Sequence, residues 1–367
     1  MINVIILKLT EICNLNCSYC YMFNSQDKTY TRVPRLMSET VSMQVLLRIR
    51  EHLDAHPEIR LRIVLHGGEP TLWPSGHFHT FLDKIKEIRT QTGRLTFGLQ
   101  TNLFEYDDEI VRKVVESGGS IGVSLDGPEQ YNDAVRITHG GKGSYQQVTA
   151  NLKRLESDGL MAHFGGTLTV ANPDIPPQAY LDWIKELPKK RVSVLWPIHY
   201  NYDTPPLKSY GAWYAELFRL WVEEDDASIE IRFFKDAVKR MLGHKNHGDS
   251  IGNDGLNSLV INTDGQYERH DYLRYFSDGA IRTGFNVASD SIDSASCDEV
   301  INRCSDLRAH LPKECAECRH SDLCGGGFIA NRLGGDKLSF ERKSVMCEDH
   351  KLFFDAVRQY VDQWSAS

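Results

Sequence analysis

The densest chemistry in the chain is the run Cys13-Asn14-Leu15-Asn16-Cys17-Ser18-Tyr19-Cys20, which sets three thiols at C-x3-C-x2-C spacing. Three thiolates so spaced can ligate three irons of a [4Fe–4S] cube and leave the fourth without a protein ligand. An open metal position suits a catalytic centre, because substrate or cofactor can bind there. A zinc knot or disulfide loop is the plainer alternative, although a closed zinc site is less natural with no fourth cysteine nearby. A second set, Cys315-Ala316-Glu317-Cys318 with Cys324 and Cys347, reads C-x2-C-x5-C plus a distant fourth thiol. Four thiolates can close a tetrahedral zinc site or hold a complete [4Fe–4S] cluster, and spacing alone does not choose between them.

The elements that must position these thiols form an alternating series. Asn3-Val4-Ile5-Ile6-Leu7-Lys8-Leu9 is apolar and β-branched and predicts a buried strand. The first thiols therefore leave a strand's C-terminal end, where α/β folds place their chemistry. Further strands are expected at 61–65, 95–100, 121–125, 167–170 and 192–196. Helical spacing follows them at 78–88, 108–117, 145–157, 177–187 and 210–223, and follows the first strand at 38–53, with Ser38 as N-cap. Six β-α units in series imply parallel strands with right-handed crossovers. Six are too few for a closed eightfold barrel, so the expected fold class is α/β, a partial (β/α)6 TIM-type barrel over residues 1–225. The acidic run Glu223-Glu224-Asp225-Asp226 reads as a solvated helix end and linker. Residues 226–350 are expected to form a smaller extension, turn-rich across 243–265, and residues 351–367 a C-terminal helix.

Length and composition narrow the class. At 367 residues, 41% hydrophobic and 25% charged, the chain is an ordinary globular protein of one large domain with an attachment. The net charge of −8 argues against broad nucleic-acid binding. No apolar run approaches the roughly 20 residues that span a bilayer, and the N-terminus lacks a secretory leader. Nine cysteines, clustered and odd in number, favour metal ligation over disulfides. A cytoplasmic setting low in oxygen is the expectation.

With its cysteine loop after the first strand and Tyr19 in the aromatic position, the chain resembles the radical S-adenosylmethionine (SAM) superfamily. The resemblance implies that the open iron chelates SAM and that an electron from the cluster cleaves it to a 5′-deoxyadenosyl radical. The electron would come from a flavodoxin- or ferredoxin-type donor. Gly67-Gly68-Glu69-Pro70 follows the second strand, and its glycines allow close backbone approach to a ligand. It resembles the superfamily turn that contacts the SAM amino group. Ser124 and Arg136 stand where relatives hold the SAM carboxylate and ribose, and an arginine fork suits a carboxylate. Thr101, Asn102 and Leu195 belong to the expected cofactor-facing rim, and His66 to local hydrogen bonding.

The second cysteine set, with Gly325-Gly326-Gly327 after Cys324, resembles the SPASM extension of radical SAM peptide-modifying enzymes. In that extension, cysteines matching Cys315, Cys318, Cys324 and Cys347 hold the outer auxiliary cluster. The family also builds a nearer one, and there the chain departs from it. The G-x4 stretch from Gly265 ends at His270 instead of cysteine, Phe328 stands at the later ligand position, and no cysteine lies between Cys20 and Cys297. One auxiliary [4Fe–4S] cluster is therefore expected, giving two clusters in all. Cys297 and Cys304 fit neither set and are expected to be small buried structural residues. Asp271 matches a family aspartate that can remove a substrate proton, with His270 as a second polar group.

The resemblance places the chain among maturases of ribosomally made precursor peptides. The cyclophane-forming group, which joins an aromatic ring carbon to a β-carbon two positions on, is the expected reaction. Alternatives are an anaerobic sulfatase-maturing enzyme that makes formylglycine, a thioether synthase or epimerase, and a non-catalytic scaffold. With the first strand starting at once, leader docking is expected on the barrel, the extension or a second protein, with an open strand edge as one means.

Overall fold

The computed structural model describes residues 1–197, 208–244, 251–252, 257–332 and 340–366. Ten strands occur among them in chain order: β1 (Val4–Thr10), β2 (Leu61–Gly67), β3 (Leu95–Thr101), β4 (Ser120–Ser124), β5 (Phe164–Val170), β6 (Arg191–Leu195), β7 (Glu230–Ile231), β8 (Ser258–Ile261), β9 (Gln266–Glu268) and β10 (Arg282–Asn286). The fold is α/β with a mostly parallel sheet, and a partial barrel fits the succession of six β-α units from β1 to β6.

Two compact units share the chain, one of residues 1–125, 133–165 and 257–302, the other of 126–132, 166–256 and 303–367. This is a division by compactness, not by successive modules such as 1–225, 226–350 and 351–367. In the first unit the strands lie in the order β10-β9-β8-β1-β2-β3-β4. The strand β1 pairs in parallel with both β2 and β8, and β9 pairs antiparallel with both β8 and β10. Ile5, Leu7 and Leu9 of β1 are fully buried, as its apolar pattern requires. In the second unit β5, β6 and β7 run parallel.

The expected helices form with end shifts of a few residues. Ser38 caps the helix Glu39–Ala55 and accepts a hydrogen bond from the Val41 N–H. The expected turn-rich stretch 243–265 needs correction, because Ser258–Ile261 is a strand. Its Leu259, Val260 and Ile261 are buried by pairing with β1, a contact some 250 residues distant in sequence that local composition does not signal. The C-terminal helix spans Cys347–Ala366 and so carries the last cysteine of the second set in its first turn.

Candidate functional site

In the first unit the cysteine loop leaves β1 at Thr10 and is stitched to its surroundings by backbone bonds. Asn16 N donates to Ile137 O and Ser18 N to Val135 O, at 2.7 and 2.9 Å. Cys20 N donates to Cys17 O, and the Asn24 amide donates to the same carbonyl. The His139 ring meets the Cys13 carbonyl at 2.9 Å. Burial pushes the Cys13 thiol up to about 12, the Leu15 N–H works against that rise, and Glu69, Cys17 and Cys20 add to it. A thiol held so high stays protonated unless a metal cation displaces the proton.

Gly67 and Gly68 are required by that loop. Gly67 has φ +139°, and a Cβ there would lie 2.4 Å from Thr10 O, whereas one at Gly68 would lie 2.1 Å from Ile12 O. These close approaches form two hydrogen bonds, Gly68 N to Thr10 O at 2.9 Å and Glu69 N to Ile12 O at 2.8 Å. Gly68→Ala should therefore push the backbone before Cys13 aside. We expect reduced iron loading of the first cluster site and a parallel fall in 5′-deoxyadenosine, measured against unchanged iron at the second site.

Glu69 is buried and holds the loop after β3. Its carboxylate accepts from Thr101 Oγ1 at 2.7 Å, Asn102 N at 2.8 Å, and the Thr71 N–H and hydroxyl. Burial raises its carboxyl, and these donors oppose the rise. The Asn102 amide donates to Asn14 Oδ1 at 2.8 Å and reaches Cys13 Sγ at 3.5 Å. Glu69, Thr101, Asn102 and Cys13 thus belong to one connected network. Ser124, ending β4, accepts from the Gln100 amide at 3.0 Å, and Arg136 donates to the Tyr19 hydroxyl at 2.8 Å. Leu195 closes β6 in the second unit.

Asp271 opens the turn after β9 and sits in a buried charge cluster. Lys8, fully buried on β1, binds its Oδ1, and the Tyr21 hydroxyl donates to its Oδ2 at 3.1 Å. Arg274, also fully buried, reaches Asp27 at 2.7 Å, Glu268 at 3.0 Å, Asp271 at 3.4 Å and Glu11 at 3.7 Å. Burial alone would raise the Asp271 carboxyl, but Lys8 and Arg274 hold it down to about 2. Asp271 is therefore ionised at neutral pH. Glu11, whose two oxygens accept no hydrogen bond among the described residues, is pushed by burial up to about 7. His270 is buried against Tyr272 with its Nδ1 at 3.2 Å from Ser258 Oγ, and burial lowers it to about 4, so the ring is neutral. Burial also lowers His66, which senses the Asp271 charge. Lys8, Tyr21, Glu268 and Arg274 escape a motif-based reading. The one sequence signal was a lysine inside an otherwise apolar strand.

In the second unit Cys315, Cys318, Cys324 and Cys347 line one cavity of about 260 Å³, with His320 and His350 beside them. Gly325, Gly326 and Gly327 take φ of 57°, 85° and 70°, and a Cβ on Gly327 would strike the His350 ring at 2.6 Å. Burial drives the Cys324 thiol up to about 12, against the Gly326 N–H. A tetrahedral zinc site brings its sulfurs within about 3.8 Å of one another. Four thiols lining one cavity suit such a site or a cube that takes one thiolate per iron. Phe328, at the missing ligand position, is buried. Cys304 is buried as expected. Cys297 is not: it is exposed, at the end of a five-residue helix too short to cover it.

Among the described residues, no helix is long and apolar enough to cross a membrane. A family profile described as Radical SAM superfamily matches residues 7–194. The chain is similar to the cysteine-type anaerobic sulfatase-maturating enzyme of Clostridium novyi (strain NT), 24% identical over 96% of this chain and 94% of that one. It is also similar to the serine-type enzyme of Bacteroides thetaiotaomicron, at 21% over 98% and 90%. The Fe-coproporphyrin III synthase of Methanosarcina barkeri is 24% identical over 89% and 82%. Among solved structures, native anSMEcpe with bound AdoMet and Cp18Cys peptide aligns with TM-score 0.81 at 19% identity, covering 99% of this chain and 98% of that one. Native anSMEcpe with bound AdoMet aligns with TM-score 0.80 at 19% identity, covering 99% of each chain. At such identity these two show the fold.

Proposed function

The chain belongs to the radical SAM superfamily, and from that premise we propose that this maturase oxidises a cysteine or serine side chain of a protein or peptide to formylglycine. It is an enzyme that uses a [4Fe–4S] cluster and SAM. The end-to-end similarity to cysteine- and serine-type sulfatase-maturating enzymes is the observation that carries the reading. It favours formylglycine over the cyclophane crosslink expected from the sequence. The crosslink keeps one observation in its favour, the buried His270 and Phe328 at the nearer cluster's ligand positions.

Cys13, Cys17 and Cys20 are the proposed ligands of the SAM-binding cluster, and Cys315, Cys318, Cys324 and Cys347 those of a single auxiliary cluster. Bound there, the first cluster and SAM would supply a 5′-deoxyadenosyl radical able to take a hydrogen atom from the substrate β-carbon. Ser124 and Arg136 are assigned to the SAM carboxylate and ribose, with Tyr19 and Asn102 beside them. With the Gly68 and Glu69 N–H groups engaged by Thr10 and Ile12, the turn offers the SAM ammonium its carbonyl oxygens.

Asp271 is the proposed proton acceptor. Loss of hydrogen atom, electron and proton turns the β-carbon into a carbonyl or thiocarbonyl, and water then converts the latter to aldehyde with release of hydrogen sulfide. A protonated carbonyl is a far stronger acid than a carboxylic acid, so a carboxylate held near 2 is basic enough. His270, neutral and buried, is assigned to packing beside it. An auxiliary cluster held by Cys315, Cys318, Cys324 and Cys347 would supply a one-electron acceptor, and a flavodoxin- or ferredoxin-type protein is the proposed electron donor to the first cluster.

The test incubates anaerobically reconstituted protein with a sulfatase-derived peptide bearing cysteine or serine and captures the product with a hydrazide. We expect one aldehyde per 5′-deoxyadenosine. Asp271→Asn should keep SAM cleavage while lowering aldehyde about 10²–10⁴-fold. A hydrazide-silent loss of two hydrogens from an aromatic-containing precursor peptide would replace this reading with the crosslink.

A further inference from the structure

We propose that His52, His56 and Asp293 form a divalent-metal site of the zinc type at the end of β1 opposite the cysteine loop. His52 and His56 are four residues apart, at the last turn and C-cap of the helix Glu39–Ala55, so both rings project from one face. Asp293 comes from the helix Ile292–Ser296, capped by Ser291. His52 Nδ1 lies 2.9 Å from Asp293 Oδ1, and His56 Nε2 lies 3.1 and 3.0 Å from its two oxygens. One ligand atom from each residue falls within 4.8 Å of the other two. Ligands around a tetrahedral zinc, about 2.0–2.1 Å from the metal, stand roughly 3.3 Å apart. The trio is within a few tenths of an ångström of that edge on both His–Asp sides.

The hydrogen-bonding arithmetic at His52 gives a second reason. Its Nε2 meets the Ile2 carbonyl at 2.9 Å, and a carbonyl only accepts, so Nε2 carries a proton. Its Nδ1 faces a carboxylate, which also only accepts. The contact is satisfied by a doubly protonated ring or by a cation shared between the Nδ1 lone pair and Asp293. An imidazole whose second nitrogen donates to a backbone carbonyl is the usual support of a metal-ligating histidine. The His52 side chain is 1% exposed and held in place, whereas Asp293 is 47% exposed, which leaves room for water in a fourth position. Two imidazoles and a carboxylate select a borderline cation such as Zn²⁺ over Mg²⁺ or Ca²⁺.

The site's role is structural. The strand β1 has seven residues, which at about 3.3 Å each put roughly 20 Å between Ile2 and the cysteine loop. A bound ion would tie the end of the first helix to the segment after β10, with Ile2 orienting a ligand.

The test uses the protein with its clusters loaded, so that the seven cluster thiols are occupied. The protein is dialysed against buffered Zn²⁺, and zinc and iron are measured per chain. We expect one zinc beyond the iron, and an affinity at least about tenfold weaker in both His56→Gln and Asp293→Asn. Iron content and SAM cleavage should not change in either variant, which reports that both fold. Wild type retaining no zinc would overturn the proposal. Variants that bind zinc as tightly as wild type would overturn it equally.

Discussion

Cys17→Ala should bring 5′-deoxyadenosine formation to the level of a protein-free blank while the chain stays folded. The loop it sits in is held by main-chain contacts, Cys17 O accepting from Cys20 N and from the Asn24 amide, and alanine keeps both. What disappears is one thiolate of three around the proposed iron site, which has no spare protein ligand. Iron should fall from about eight to about four per chain. Cys347→Ala is the matched control. It removes a thiol at the first residue of the C-terminal helix in the other unit. An equal loss of iron is expected there, with SAM cleavage retained. Turnover that survives Cys17→Ala, or vanishes equally in both, would contradict the assignment of the first trio to SAM.

Arg274→Met should destabilise the cluster-loaded protein by about 3–5 kcal/mol, the cost of stranding buried charge when one partner is removed. Arg274 and three of its partners, Glu11, Asp27 and Glu268, are fully buried, and Asp271 is 12% exposed. Methionine fills the space but removes the cation, leaving Lys8 beside Glu268 and Asp271. The pH dependence carries a sign. Asp271 lies below its ordinary 3.8, so its stabilising contribution is present above that value and is lost as pH falls toward 2. Glu11 is raised from 4.5 to about 7, so stability declines as pH climbs through that window. Without Arg274 both carboxyls are held less well in their charged forms. The deficit relative to wild type should therefore be largest at neutral pH and shrink on acidification, as read from denaturant midpoints. A deficit that is flat in pH would mean lost packing in place of lost charge pairing. Arg274→Lys should recover only part of the stability, since an ammonium cannot serve four partners as a fork does.

The two cysteine sets, the GGEP turn, and the β-α alternation to residue 195 were legible in the chain because each is a local pattern. Thiol spacing, glycine pairs and apolar periodicity lie within a few residues, and Ser38 at its helix start is of the same kind. That His270 and Phe328 stand where relatives are expected to carry cysteines was equally readable, residue against residue. The exposure of Cys297 was not, since burial depends on what packs over a residue.

Sequence alone determined which groups this protein owns: seven thiols in two sets, two glycines where a side chain cannot fit, and an aspartate after a strand. Tertiary structure decided which of them meet. The pairing of β8 with β1 brings Asp271 to Lys8 across more than 260 positions, and Arg274 then gathers carboxylates from three separate segments. Local periodicity sees only neighbours within a turn or a strand, whereas a buried charge network is specified by parts of the chain that adjoin only after folding. The same holds for His52, His56 and Asp293, two of them a helical turn apart and the third remote in sequence.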